Sequence, residues 1–203
     1  MRPFSEVELE SLATAIRVYD DRLADITLIA GWTGLRWSEL RALRVRDLIR
    51  VPMRMLIVER AAPEGVEVKT TKSRRVRRVP IANRVTPLLD AMTEGKRLDD
   101  LLVTTSGGSQ LHASAFKRTS HWAKVANGRR IHDLRHTAAC LWLARGVDVV
   151  TVQTWMGHAS IATTNIYLHH LGTGADRAAL DLLNTPGHTG GTQPETTRKE
   201  DGA

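Results

Sequence analysis

Apolar positions recur at helical spacing from the start of the chain. In "SEVELESL", Ser5 and Glu8 form a capping-box pair, which marks a helix start because each side chain satisfies the other's free backbone N–H. "DRLADITLIAGWTG" predicts a second helix ending between Gly31 and Gly34. "SELRALRVRDL" predicts a short helix from a Ser38 cap, followed by a turn. The pattern then changes. Residues 48–60 and 66–81 are rich in Val, Ile and Thr and flank the turn-like "AAPEG", which predicts a small antiparallel sheet. Beyond Pro80 helical spacing returns over residues 83–94, 112–126, 132–145, 148–156, 160–169 and 174–184. From Thr185 the tail has no apolar periodicity and is expected to be disordered. No internal repeat is visible. The expected fold is mainly α with a small antiparallel β-sheet or hairpin insert, an α+β arrangement.

Composition narrows the class. A length of 203 residues suits one substantial domain or two small ones, and 42% apolar content supports a core over most of it. The formal net charge of +7 favours a polyanionic partner, either nucleic acid or an anionic membrane surface. Cys140 is the single cysteine, so neither an intramolecular disulfide nor a cysteine metal cluster can form, and a reducing compartment fits. No leader opens the chain, and no apolar run approaches the ~20 residues that span a bilayer. The expectation is a soluble, cytoplasmic protein without membrane contact.

Four segments carry candidate chemistry. In "TGLRWSEL" Arg36 lies just before a helix start, where a guanidinium and free backbone N–H groups can meet a phosphate. Glu39 is one helical turn away and can hold Arg36; alone, the pair reads as an ordinary surface ion pair. In "VKTTKSRRVRRVPI", six of the ten residues from Lys69 to Arg78 are basic. A solvated face is the usual fate of such a run. On a hairpin, though, like charges on neighbouring strands repel, so Lys69, Lys72, Arg74, Arg75, Arg77 and Arg78 make better sense facing a polyanion. A lysine lowered in pKa there can protonate a leaving group.

In "IHDLRHTAA", His132 and Arg135 share a helix face, while His132 and His136 stand at zinc-ligand spacing. Arg135 argues against a cation, and Asp133 occupies the place where zinc proteases carry a glutamate base. In "MGHASIATTNIYLHH", His158 follows Gly157, Ser160 can cap the next helix, and Tyr167 lies two turns along it. A lone tyrosine is more often core than chemistry. Two arginines, a lysine, two histidines and a tyrosine, without paired carboxylates for a metal, suit metal-free phosphoryl transfer with a side-chain oxygen as nucleophile.

In this order the boxes resemble those of the tyrosine site-specific recombinases, or phage-type integrases. "TGLRWSEL" resembles the first arginine box, "IHDLRHTAA" the His-x-x-Arg box, and "MGHASIATTNIYLHH" the Gly-His box with a tyrosine nine residues on. The resemblance implies a recombinase catalytic domain over residues 1–184, with 185–203 as a tail and no upstream core-binding or arm-binding domain. It implies that Arg36 and Arg135 clamp phosphate oxygens, that His132 and His158 donate hydrogen bonds to them, and that Tyr167 is the nucleophile, a group outside the core. It implies that Lys72 protonates the leaving 5′ oxygen; Lys69, followed by Thr70, fits the same role. The implied product is a 3′-phosphotyrosyl bond formed without cofactor. Implied partners are duplex recombination sites, further copies of the chain forming a tetramer on DNA from free monomers, and accessory DNA-bending proteins, with nucleoid association when bound. Three rival readings are a type IB topoisomerase, a non-catalytic DNA-binding module, and a zinc hydrolase built on His132, His136 and His158.

Overall fold

A computed structural model of the chain describes residues 1–65, 76–168 and 184. Helix α1 (Glu6–Arg17) opens with the expected reciprocal cap: Ser5 N donates to Glu8 Oε2 at 2.8 Å, and Glu8 N donates to Ser5 Oγ at 3.2 Å. Helix α2 (Asp21–Thr33) starts where the Asp20 carboxylate accepts from Leu23 N at 2.9 Å, and stops at Gly34 with φ of 62°. Only glycine takes that left-handed step without strain. From Ile26 to Thr33 every side of α2 is buried, so it is the central rod against which α1 and helix α7 (His132–Ala144) pack.

The sheet has three antiparallel strands in the order β1 (Leu48–Ile49), β2 (Met55–Val58) and β3 (Arg77–Pro80). Leu56 pairs with Val79, both facing the core, whereas Ile57 pairs with Arg78, which is exposed. Residues 48–60 thus supply two strands, with the reversal at Pro52, which has no N–H to donate to a ladder. Residues 66–75 lie outside the described residues. Lys69, Lys72, Arg74 and Arg75 lie there, and the proposed helix at 174–184 and the tail also lie outside, residue 184 apart.

The remaining helices are shorter than their patterns. Helix α3 (Trp37–Leu40) is capped by Arg36 rather than Ser38. Residues 83–85 form a 3-10 turn before α4 (Thr86–Ala91). The expected helix at 112–126 breaks into α5 (Ala113–Thr119) and α6 (Trp122–Val125). At the break Ser120 Oγ turns back to Phe116 O at 2.7 Å, and His121 takes φ of 50°, a competition for backbone groups that serine commonly provides. Helices α8 (Val149–Met156) and α9 (Ala162–Asn165) follow, joined through Gly157 in the left-handed region at φ of 65°. Ser160 Oγ accepts from Ala162 N at 3.2 Å, the cap expected of it. Among the described residues, no helix is long and apolar enough to cross a membrane.

Candidate active site

The loop after Gly34, the sheet edge at β3, one face of α7 and the turn after α8 meet at a single place. Arg36 N donates to Glu39 Oε2 at 2.7 Å and its Nη1 to Glu39 Oε1 at 2.8 Å, so one carboxylate fixes both the backbone and the side chain of this arginine. Arg36 Nη2 reaches Gly157 O at 3.3 Å, tying the loop to the α8–α9 turn. The rest of its guanidinium is open to solvent.

Arg135 comes from α7 and is buried. Its two terminal nitrogens donate to Gly34 O and Met156 O. These partners are carbonyls, which orient a cation without cancelling its charge. Burial, with Arg36 and Arg77 nearby, pushes its pKa down to about 10 against the opposing pull of Glu39. Gly34 allows this approach: a Cβ there would stand 2.9 Å from Trp142 and 3.1 Å from Ala138.

Asp133, the position compared with a zinc-protease base, faces away. It accepts from Arg130 N at 2.8 Å and Arg2 N at 3.2 Å and so fixes the start of α7. His132, exposed at the first turn of α7, meets His136 edge-on with ring centroids 4.7 Å apart. Among the described residues, no three His, Cys, Asp or Glu side chains are grouped to hold a metal.

Tyr167 is 1% exposed and belongs to the core cluster. This differs from its expected place outside the core. Its ring lies between His136 and His158, in near-parallel orientation to the latter at 6.2 Å. Its hydroxyl meets His136 Nδ1 at 2.9 Å. A buried tyrosine hydroxyl requires such a partner. Burial raises the phenol pKa, while Arg135 and Arg36 pull it back. Cys140, further along the same face of α7, is a protonated neighbour whose thiol burial pushes to about 11.

His158 Nδ1 lies 2.9 Å from Thr164 Oγ1, which aims the other ring nitrogen away from α9. Burial first, then the charges of Arg135 and Arg36, hold the His158 pKa at about 4; burial and His132 do the same for His136. Both rings are therefore neutral at pH 7. His132 is lowered too, first by partial burial and then by Arg135.

The sequence profile of the phage integrase family matches residues 3–173. The chain belongs to that family. It is 31% identical over 142 residues to a tyrosine recombinase of Thermosipho africanus, covering 68% of this chain and 46% of that protein. It is 29% identical over 170 residues to the tyrosine recombinase XerA of Saccharolobus solfataricus, covering 83% and 52% respectively. The crystal structure of XerA recombinase superposes with a TM-score of 0.65 at 26% identity, over 91% of this chain and 66% of that one. The chain spans about half the length of the curated relatives it matches.

In this phage integrase family member, Arg36, His132, Arg135, His158 and Tyr167 come together from three separate stretches of sequence. Glu39 supports Arg36 as expected. Arg78 is exposed on the sheet. Arg77 is not: its side chain is 10% exposed and its donors are taken by Glu39 and Trp155 O. Charge counting along β3 missed this because Arg77 and Arg78 differ only in which face of the strand they occupy. His136 is the other omission. Its spacing from His132 suggested a metal, whereas its ring serves the Tyr167 hydroxyl. Helical spacing alone does not distinguish those uses.

Proposed function

We propose that the chain is the catalytic domain of a site-specific DNA recombinase that cuts and rejoins strands through a tyrosine. The observation that carries this reading is the charge arrangement: three guanidinium groups, Arg36, Arg77 and Arg135, surround the single carboxylate of Glu39 beside a tyrosine hydroxyl. The surplus positive charge is preorganised and, at Arg77 and Arg135, desolvated, which is what stabilises charge developing on phosphoryl oxygens. A carboxylate-rich metal cage would have the opposite sign.

In this reading Arg36 and Arg135 hold the non-bridging oxygens of one backbone phosphate. Neutral His158 and His132 donate ring N–H bonds to the same group. The Tyr167 oxygen forms a bond to phosphorus as the bond to the 5′ oxygen breaks. The phenol proton leaves to a neighbouring base, and Lys72 supplies a proton to the 5′ oxygen. A 3′-phosphotyrosyl ester results, and attack by a 5′ hydroxyl of a second duplex reverses the step and exchanges strands. The ester conserves the bond energy, so neither nucleotide nor metal enters the balance. The buried position of Tyr167 makes this arrangement a resting one: its hydroxyl must leave His136 to meet a phosphate. The solved relative, a XerA recombinase, supports the same chemistry. We place the working enzyme in the cytoplasm, on duplex recombination sites, monomeric when free and tetrameric on paired sites, with DNA-bending proteins as helpers.

The test uses nicked duplexes tiled across the DNA flanking the gene. Wild-type protein should give a denaturant-resistant adduct on the tile that carries the site. Tyr167→Phe should abolish the adduct and leave non-covalent binding within about twofold, since the phosphate clamp lies elsewhere. An adduct surviving in the phenylalanine variant, or absent from the wild type on every tile, would overturn the proposal.

A further inference from the structure

We propose that Arg77 is a positioning residue whose task is to occupy Glu39, so that Arg36 stays available to the phosphate. This rests on the reading of the site as a tyrosine recombinase centre. Arg77 approaches Glu39 as a two-pronged fork: Nη1 donates to Oε1 at 2.8 Å and Nη2 to Oε2 at 2.6 Å. Its third donor, Nε, is bonded to Trp155 O at 2.8 Å. The fork takes one acceptor site on each carboxylate oxygen, in the bidentate manner guanidinium groups favour. Arg36 is left with one side-chain bond to Glu39, through Nη1, and its side chain remains 43% exposed.

The electrostatics give the reason. Glu39 is needed, because its Oε2 holds the Arg36 backbone N–H and so the shape of the loop. A buried carboxylate with Arg36 as its only cation would draw that guanidinium into a full bidentate pair. The pair would then compete with the phosphate for the same donors. Arg77 supplies the missing positive charge from the far side. Its place is closely fitted: Gly157 packs on its stem, and a Cβ at Gly157 would stand 3.0 Å from Arg77 Cδ. Arg77 also begins β3, five residues after Lys72 in the sequence, and it touches the end of α8 just before His158. One side chain thereby links the first arginine box, the histidine turn and strand β3.

The experiment measures single-turnover adduct formation at saturating DNA, using the tile on which the wild type reacts. Arg77→Met removes the fork and keeps much of the bulk. Its rate constant should fall about 100-fold, the order of a misplaced transition-state donor. The affinity should weaken and its salt slope fall by about one, because the captured Arg36 no longer neutralises its phosphate. Adding Glu39→Gln to Arg77→Met removes the charge that captures Arg36, so the double variant should be about tenfold faster than Arg77→Met alone, a non-additive result. A purely structural brace would show its rescue in stability and reaction amplitude, not in the rate constant of folded, bound molecules.

Partial unfolding lowers the amplitude of the reaction and leaves the rate constant of folded, bound molecules intact. If Arg77→Met cannot be purified folded, Arg77→Gln, which also removes the charge and the fork, enters the same cycle. A double variant as slow as the single one overturns the proposal. So does a salt slope that stays reduced by about one in the double variant, since neutralising Glu39 should return Arg36 to the phosphate. An unchanged rate in the single variant does likewise. Failure of the wild type to form any adduct would instead sink the recombinase reading itself.

Discussion

Glu39→Gln keeps the outline of a buried side chain and removes the negative charge among three arginines. Burial alone would raise the Glu39 pKa, but Arg77, then the Arg36 backbone N–H and charge, hold it at about 2 against an ordinary value of 4.5. At ~1.4 kcal/mol per pH unit, that depression corresponds to about 3 kcal/mol of stability from the charged form. The loss expected on breaking a buried ion pair from one side, about 3–5 kcal/mol, is of the same order. The sign follows from the folded pKa lying below the unfolded one. The Glu39 contribution is whole above pH 4.5 and fades as pH falls towards about 2. Urea unfolding of wild type and Glu39→Gln should therefore differ by about 3 kcal/mol at pH 7, and the gap should close across that acid window. Other groups titrate in both proteins and cancel in the difference. A gap that stays constant from pH 7 to the acid end of the window would refute the reasoning, because the loss would then be one of packing rather than charge.

Three other outcomes are expected. Gly34→Ala should destabilise the fold by about 2–4 kcal/mol in denaturant titration, combining the cost of a left-handed alanine with overpacking against Trp142, Ala138 and the Met156 sulfur; a loss below ~0.5 kcal/mol would contradict the close packing at that turn. The folded state resists protonation of His136, whose pKa is lowered from 6.5 to about 4, so stability from this ring is present above pH 6.5 and is lost towards pH 4. His136→Gln should soften the decline of the urea midpoint over that range, and an unchanged acid limb would argue against a buried neutral ring. Lys72→Arg should bind DNA normally and cleave slowly, with the defect relieved when the bridging 5′ oxygen of the substrate is replaced by sulfur, which leaves without protonation; the same rescue in Lys69→Arg instead would move the acid role to that lysine.

What was legible in the sequence is what short-range physics decides. The Ser5–Glu8 cap, the left-handed stops at Gly34 and Gly157, and helices α1, α2, α7 and α8 follow from neighbours within one turn, and the order of the boxes carries the family. The short helix at Trp37 was misjudged by two residues for a physical reason. Ser38 is the better capping type, but the effective cap is Glu39 reaching back to Arg36 N, an acceptor supplied from inside the helix. Tyr167 was read as a group outside the core because its box suggested chemistry. The structure satisfies both demands by burying the ring and binding the hydroxyl to His136. Arg77 was the hardest to read. Its partners lie 38 and 78 residues away, and no periodicity along the chain links an arginine on a strand to a carboxylate on a distant turn. A basic run in sequence states how many cations a segment brings; only the fold decides which of them meet solvent and which are consumed inside. Because Arg77 is consumed by Glu39, Arg36 keeps an exposed fork, and the net positive character of this site depends on a residue that itself faces no ligand.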